Sequence, residues 1–320
     1  MAPRLGLGGG VTADPASGLF ATPAPDPLLD TFPNAHRAYS VRKLRTEYTG
    51  YAMKVRESGS DYTADVAFDD DGYVSASSLV ANKSDASAGG PTLGAFIGGS
   101  NDGYVHTWYD QSGEGVNAID AGYVGNWSVS PANQPKIYTS GSLITDVTGS
   151  GTPRAALLFD GSDRLNIVNT GLTLDATSVF TTFNITTSGN QVPWCLAYQG
   201  TPVFYFPYLI GTVMHFYHDA GSATSQDLAG YDGVTDKRRL YSHLSGGGSQ
   251  SLVINGTTTT AGSPSYASTA LGSHTSYVGI GYNITTGLKG KMQEFIVYDS
   301  NQTSNNAGIT SEINTALEVY

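Results

Sequence analysis

Short segments rich in β-branched and aromatic residues recur along this chain, each closed by a cluster of Gly, Asn, Asp or Ser. "YAMKVRE", "GYVHTWYD", "TSVFTTFNIT", "VFYFPYLIG", "VMHFYHDA", "KRRLYSHLS", "QSLVING" and "GKMQEFIVYD" are of this kind. Successive side chains on a strand point to opposite faces, so alternation of apolar and polar residues marks a half-buried strand. Many such strands with turn residues between them predict an all-β sandwich of two antiparallel sheets. No fixed repeat is visible, which argues against propellers and solenoids. "YTADVAFDDDGYV" reads as a strand, an acidic turn and a second strand, and "AYSVRKL" as a short helix with Tyr39 and Leu44 turned inward. In "SNNAGITSEINTALEVY" the period changes: Ile309, Ile313 and Leu317 recur every fourth residue, after Ser and Asn as caps, which predicts a short C-terminal helix.

Composition agrees. The chain has 320 residues with 40 Gly and 20 Tyr, and only 13% are charged, a mixture that suits pleated strands and turns. A formal charge of −11 argues against a nucleic-acid backbone or an anionic membrane surface as partner, and leaves neutral glycans and other proteins open. Cys195 is the single cysteine, so neither an internal disulfide nor a cysteine zinc cluster is available; beside Trp194 it reads as a small buried apolar group. The first residues hold no apolar run long enough for a secretion signal, and no membrane-spanning segment follows, so a soluble, non-inserting protein is expected.

Residues 1–33 are dense in Gly, Pro and Ala, with isolated apolar residues and no period. Such a stretch cannot build a core of its own. It is either a solvated tail or a docking arm anchored on a partner through Leu5, Leu7, Leu19, Phe20, Leu28, Leu29 and Phe32. The folded domain is expected to span 34–320.

"HTWYDQSGEGVNA" runs from a strand into a polar turn. Asp and Ser bond nearby backbone N–H groups and Gly supplies positive φ, so Trp108, Tyr109, Asp110, Gln111, Ser112 and Gly113 are read as a structural corner. Asp69, Asp70 and Asp71 before Gly72 are oxygen ligands of the kind Ca²⁺ takes, with Asp160 and Asp163 in the same spirit, although the run lacks the spacing of an EF-hand. His215 and His218, three apart on a strand, fall on opposite faces and suit one Zn²⁺ poorly. Carboxylate pairs for glycoside hydrolysis can be assembled as Asp219 with Asp227 or Asp110 with Glu294, without support from spacing. Tyr205, Tyr208 and Tyr217, with Asn283, are the candidate carbohydrate contacts, since a Tyr face packs on a sugar ring while its hydroxyl bonds polar groups. A subunit interface accounts for the same Tyr residues.

Three resemblances sharpen these readings. "QSLVING" followed by "GKMQEFIVYDSNQTS" resembles the closing strands of concanavalin A-like, laminin-G-type sandwiches. "AYSVRKLRTEYTGYAMKVR" with "TWYDQSGEGVNA" resembles the catalytic domain of fungal α-L-arabinofuranosidase B. With "ANQPKI" and "PRAALLFDGSDRL" added, the pattern is similar to virion structural proteins encoded by tailed bacteriophages, over roughly residues 36–315. The resemblance implies a concanavalin A-like jelly roll with an extended N-terminal arm. It also implies that the arabinofuranosidase acid position falls on Asn283, an amide that cannot protonate a leaving group, while "GTVMHFYHDAGSA" offers Asp219 but no Glu. The expected function is therefore a non-enzymatic phage virion protein, a head decoration or a tail or fibre component, without cofactor. It would assemble in the host cytoplasm with itself and other virion proteins, and contact host-surface polysaccharide. The alternative is an arabinofuranosidase-like glycoside hydrolase.

Overall fold

A computed structural model describes residues 27–120, 131–147, 151–168, 172, 176–198, 204–210, 213–219, 223–228, 237–246, 249–260, 275–279 and 286–320. Antiparallel strands form two layers. In the first, Thr257–Thr260, Ser249–Ile254, Arg239–Gly246, Ser178–Ile185 and Lys289–Tyr298 lie side by side. Arg37–Ser40 and Leu157–Asp160 share the far edge of Lys289–Tyr298. In the second, Val80–Ala81, Thr63–Val66, Met53–Glu57 and Gly103–Trp108 are followed by Ala118–Ile119, Leu165–Val168, Thr275–Val278 and Trp194–Tyr198. The meander Phe204–Ile210, Val213–Asp219, Ala223–Leu228 extends this layer. Lys136–Thr139 pairs with Gly103–Trp108 of the second layer, and its Lys136 bridges to Leu158, joining the layers at their edge.

Alternation on the central strands decides what each face buries. Val179, Phe183, Phe295 and Val297 enter the core between the layers, where the Trp194 and Phe295 rings lie 5.9 Å apart. Phe180, Ile296 and Tyr298 point the other way, into a second core closed by α1 (Leu28–Thr31) and α3 (Asn306–Leu317). Every residue of Ser178–Ile185 is buried because that strand is covered on both faces. A bulge at Gln293, opposite Thr182/Phe183, shifts the alternation so that Met292 joins Phe295 and Val297 in the inter-layer core, while Glu294 stays on the helix side with Ile296 and Tyr298. The predicted C-terminal helix is present, with Ile309, Ile313 and Leu317 buried. Its N-cap Asn305 makes no capping bond and bonds Gln302 instead.

Three expectations are corrected. "AYSVRKL" is a strand over Arg37–Ser40, not a helix: Ala38 enters the helix-side core and Tyr39 the inter-layer core, so burial on both faces hides the period of two. The stretch 27–33 belongs to the folded domain. Leu28 is 0% and Leu29 2% exposed, Phe32 packs on the same cluster, and Leu29 N–H donates to Leu44 O at 2.9 Å. These three residues therefore anchor the chain to its own sandwich. The second strand expected in "YTADVAFDDDGYV" is reduced to a single bridge, Arg42 to Tyr73.

Candidate functional site

The corner after Gly103–Trp108 is a hydrogen-bonded clasp on the 36–44 segment. Asp110 Oδ1 accepts from the N–H groups of Ala38 and Ser112, both at 3.0 Å. Asp110 Oδ2 accepts from the Ser112 hydroxyl at 2.7 Å and Val116 N–H at 3.2 Å. Gln111, fully buried, accepts from Leu44 N–H at 2.8 Å and donates to Arg42 O at 3.0 Å. Trp108 Nε1 donates to Ser40 O at 3.1 Å, and Tyr109 OH donates to Asp65 at 2.6 Å. Gly113 and Gly115 hold φ of 100° and 73°, the left-handed region where Gly carries no steric penalty. All six residues of the turn thus serve the corner.

Glu294 lies on the other side of the first sheet. Its carboxylate, 0% exposed, accepts from Ser40 Oγ at 2.7 Å and Arg42 Nε at 2.9 Å, and Arg42 also reaches Glu312 of α3 at 2.9 Å. Burial opposes the Arg42 charge, but the two carboxylates outweigh it and hold the guanidinium above its ordinary range. Burial pushes Glu312 up, against the pull of Arg42. Asp110 and Glu294 consequently do not face one another, and each is saturated by donors. This ion triad carries no signal in the sequence, because its members come from three distant segments.

The outer face of the second sheet carries a polar row. Arg56 Nε donates to Gln134 Oε1 at 2.8 Å, and Gln134 Nε2 donates to Asp120 Oδ2 at 2.7 Å. Burial pushes Asp120 up and His106, nearby, down from their ordinary values. Arg56 also stacks 4.6 Å over the Tyr104 ring. Gln134 falls within "ANQPKI", which sequence reasoning used for likeness alone.

Register separates the predicted carbohydrate residues. Tyr205 pairs with His218, Tyr208 with His215, and Phe206 with Tyr217, so Tyr208 and Tyr217 share a face and Tyr205 lies on the opposite one. The Tyr205 face also carries Pro207, which is buried toward the sandwich interior beside Trp194 and His243. Across the three strands, Tyr208, His215 and Asp227 form one row on the other face, and Phe206, Tyr217 and Ser225 the next but one. Asp219 and Asp227 share that face, four positions apart along the strands. Asn283, Leu5, Leu7, Leu19 and Phe20 lie outside the described residues.

The acidic turn is held by its own backbone. Asp69 Oδ1 accepts from the N–H groups of Asp71 and Tyr73 at 3.1 and 2.9 Å. Asp70 and Asp71 line an open groove of about 360 Å³ with Arg42, Lys43 and Glu312. Among the described residues no three His, Cys, Asp or Glu side chains gather as a metal would require, so Asp69, Asp70 and Asp71 form no such cluster. At the end of the 157–160 strand, burial and then Asp160 push Asp163 up to about 8. Cys195 is fully buried, and burial raises its thiol. Among the described residues no helix is long and apolar enough to cross a membrane.

No family model matches the chain, and no curated protein matches it. The fold has relatives among solved structures. An arabinofuranosidase complexed with arabinofuranosyl-α-1,2-xylobiose is 14% identical with a TM-score of 0.59. A Glu-to-Gln variant of a GH54 α-L-arabinofuranosidase soaked with 4-nitrophenyl α-L-arabinofuranoside is 14% identical with a TM-score of 0.62. The likeness covers 88% of this chain and 63% of each of those chains. At that identity it is a likeness of fold alone, that of a jelly-roll-like β-sandwich.

Proposed function

We propose that this chain is a non-enzymatic structural protein of a bacteriophage virion, a head decoration or a tail or fibre component, whose sandwich presents a saccharide-binding face. The observation that carries the binding role is the register of the 204–228 meander, which gathers Phe206, Tyr208, His215, Tyr217, Ser225 and Asp227 on one face. Aromatic rings pack against sugar C–H faces, and His, Ser and Asp are the polar groups that fix hydroxyls. The non-enzymatic reading is supported by Asp110 and Glu294, both saturated by internal donors, and by Asn283 at the position where the arabinofuranosidase resemblance calls for an acid. The virion role rests on the sequence likeness to tailed-phage proteins, and residues 1–26 are its proposed anchor on neighbouring subunits, since Leu28 and Leu29 are engaged by the chain's own domain.

A panel of bacterial surface polysaccharides and arabinans, with an aryl arabinofuranoside as reporter of hydrolysis, tests the proposal. Saturable binding without turnover is the expected result. Turnover abolished by Asp219→Asn would instead make the chain a glycoside hydrolase. Full incorporation of a chain lacking residues 1–26 into particles would remove the anchoring role.

A further inference from the structure

We propose a second saccharide site, apart from the 204–228 meander, in the groove between the end of the Met53–Glu57/Thr63–Val66 hairpin and α2 (Leu93–Ile97). The groove has about 360 Å³ of open volume, within the roughly 300–1,000 Å³ of small-molecule clefts. Its floor is apolar: Phe96 and Ile97 of α2 and Ala88 are 4%, 1% and 7% exposed. The half-buried Tyr62 ring packs on the same core, with the Asp85 carboxylate near its hydroxyl.

The polar rim decides what the groove takes. It has no Lys, Arg or His among its lining residues, so nothing recommends it to a phosphate or a carboxylate. Glu57 is its single acidic residue, and that carboxylate is already occupied by the N–H groups of Gly59 and Ser60 and by the Ser60 hydroxyl, so a cation finds no free anionic ligand. Asn101 is different. Its amide lies beside Gly59, and among the described residues its side chain makes no hydrogen bond, leaving both a donor and an acceptor for a ligand. An aromatic ring packed on the core, an apolar floor and an unused amide, with the one carboxylate already taken up by its own turn, fit one class of ligand: a neutral sugar, which offers a C–H face to the ring and adjacent hydroxyls to the amide. The groove lined by Arg42, Lys43, Asp70, Asp71 and Glu312 has a similar volume and the opposite character, which excludes it for the same ligand.

The test is a titration of the full chain with L-arabinose, D-galactose and N-acetylglucosamine separately, read by amide chemical shifts in ¹H–¹⁵N spectra. Inorganic phosphate and CaCl₂ serve as charged controls. A saturable shift of the Gly89, Gly98 and Asn101 amides with at least one sugar, and none with the controls, is expected. Asn101→Ala and Tyr62→Ala should each weaken that sugar by about tenfold. Both residues are half-exposed, and an unchanged melting temperature confirms intact folding. Ala95→Trp, which fills the groove from an exposed position, should abolish the shift. Shifts confined to the 204–228 meander leave the proposed function standing and remove this site; shifts confined to the groove do the reverse. Equal affinity in all three variants, or no shift with any sugar, overturns the inference.

Discussion

Glu294 and Arg42 meet at 2.9 Å in the layer between the first sheet and α3, with Glu294 wholly enclosed and Arg42 4% exposed. Two carboxylates, Glu294 and Glu312, share this one guanidinium. Removing one member of a buried ion pair leaves an uncompensated charge in a medium of low polarisability, at a cost of about 3–5 kcal/mol.

Arg42→Met should therefore destabilise the domain by about that amount, and the loss should depend on pH. Without the cation, nothing offsets the burial that already pushes Glu312 up, and its folded-state pKa rises further above the unfolded value. The folded form then binds protons that the unfolded form does not, and stability falls as pH rises. Urea unfolding at pH 5 and pH 8 should show the variant closer to the wild type at pH 5. A small loss of equal size at both pH values would mean that the triad contributes little.

Asp163 provides a second pH dependence with the same sign. Burial and Asp160 hold its carboxyl at about 8, against 3.8 for a free Asp. Its contribution is greatest below the unfolded value and is lost as pH rises through the window between the two, by at most about 1.4 kcal/mol per pH unit. Asp163→Asn keeps an acceptor for Asp160 N–H, which donates to Asp163 Oδ2 at 2.9 Å. The variant should lose the slope and unfold at higher urea than the wild type at pH 8. Parallel stability curves for the two proteins from pH 5 to pH 8 would show that Asp163 does not titrate there.

In the corner, Asp110 is expected to be worth more than a surface turn residue. Its four accepted bonds include two from buried backbone N–H groups, and a hydrogen bond to a charged group contributes about 1.5–3 kcal/mol. Asp110→Ala should cost roughly 3–5 kcal/mol, and Asp110→Asn, which keeps one acceptor oxygen, distinctly less. Amide hydrogen exchange at Ala38 should accelerate in both. Unchanged exchange there would show that the clasp does not hold the 36–44 segment.

Local chemistry explains what could be read from the sequence. The corner was legible because Asp110, Ser112, Gly113 and Gly115 act within a few residues of one another. The C-terminal helix was legible because one face of Ile309, Ile313 and Leu317 carries the whole signal. Arg37–Ser40 was not, because a strand buried on both faces loses its alternation and looks like any short apolar stretch. Arg42, Glu294 and Glu312 meet only through the fold, as do Tyr62 and Asn101 at the hairpin groove. Leu28 and Leu29 were hidden by the Pro- and Ala-rich residues around them, whose composition suggests an arm even where the chain is packed.

The meander register turns the aromatic residues into a discriminating set. Tyr208 and Tyr217 share the face proposed to meet saccharide, while Tyr205 shares the Pro207 face. Tyr208→Ala and Tyr217→Ala should each weaken polysaccharide binding by about tenfold at unchanged melting temperature. Tyr205→Ala should spare binding and lower the melting temperature instead. Equivalent binding defects in all three would mean that the register does not sort these side chains as proposed.

Truncation separates the tail from the domain. A chain starting at residue 27 keeps Leu28 and Leu29 against Ile309, Ile313 and Leu317, and Tyr298 OH keeps its 2.9 Å bond to Phe32 O. It should melt with the full chain. A chain starting at residue 34 loses both leucines, exposes the underside of α3 and strips a partner from Tyr298. Deleting one buried Leu side chain costs about 2–5 kcal/mol, so Leu28→Ala alone should lower the melting temperature measurably and the longer truncation should lower it much further. Differential scanning calorimetry of the four proteins decides the point. Equal melting of the two truncated chains would return residues 27–33 to the arm.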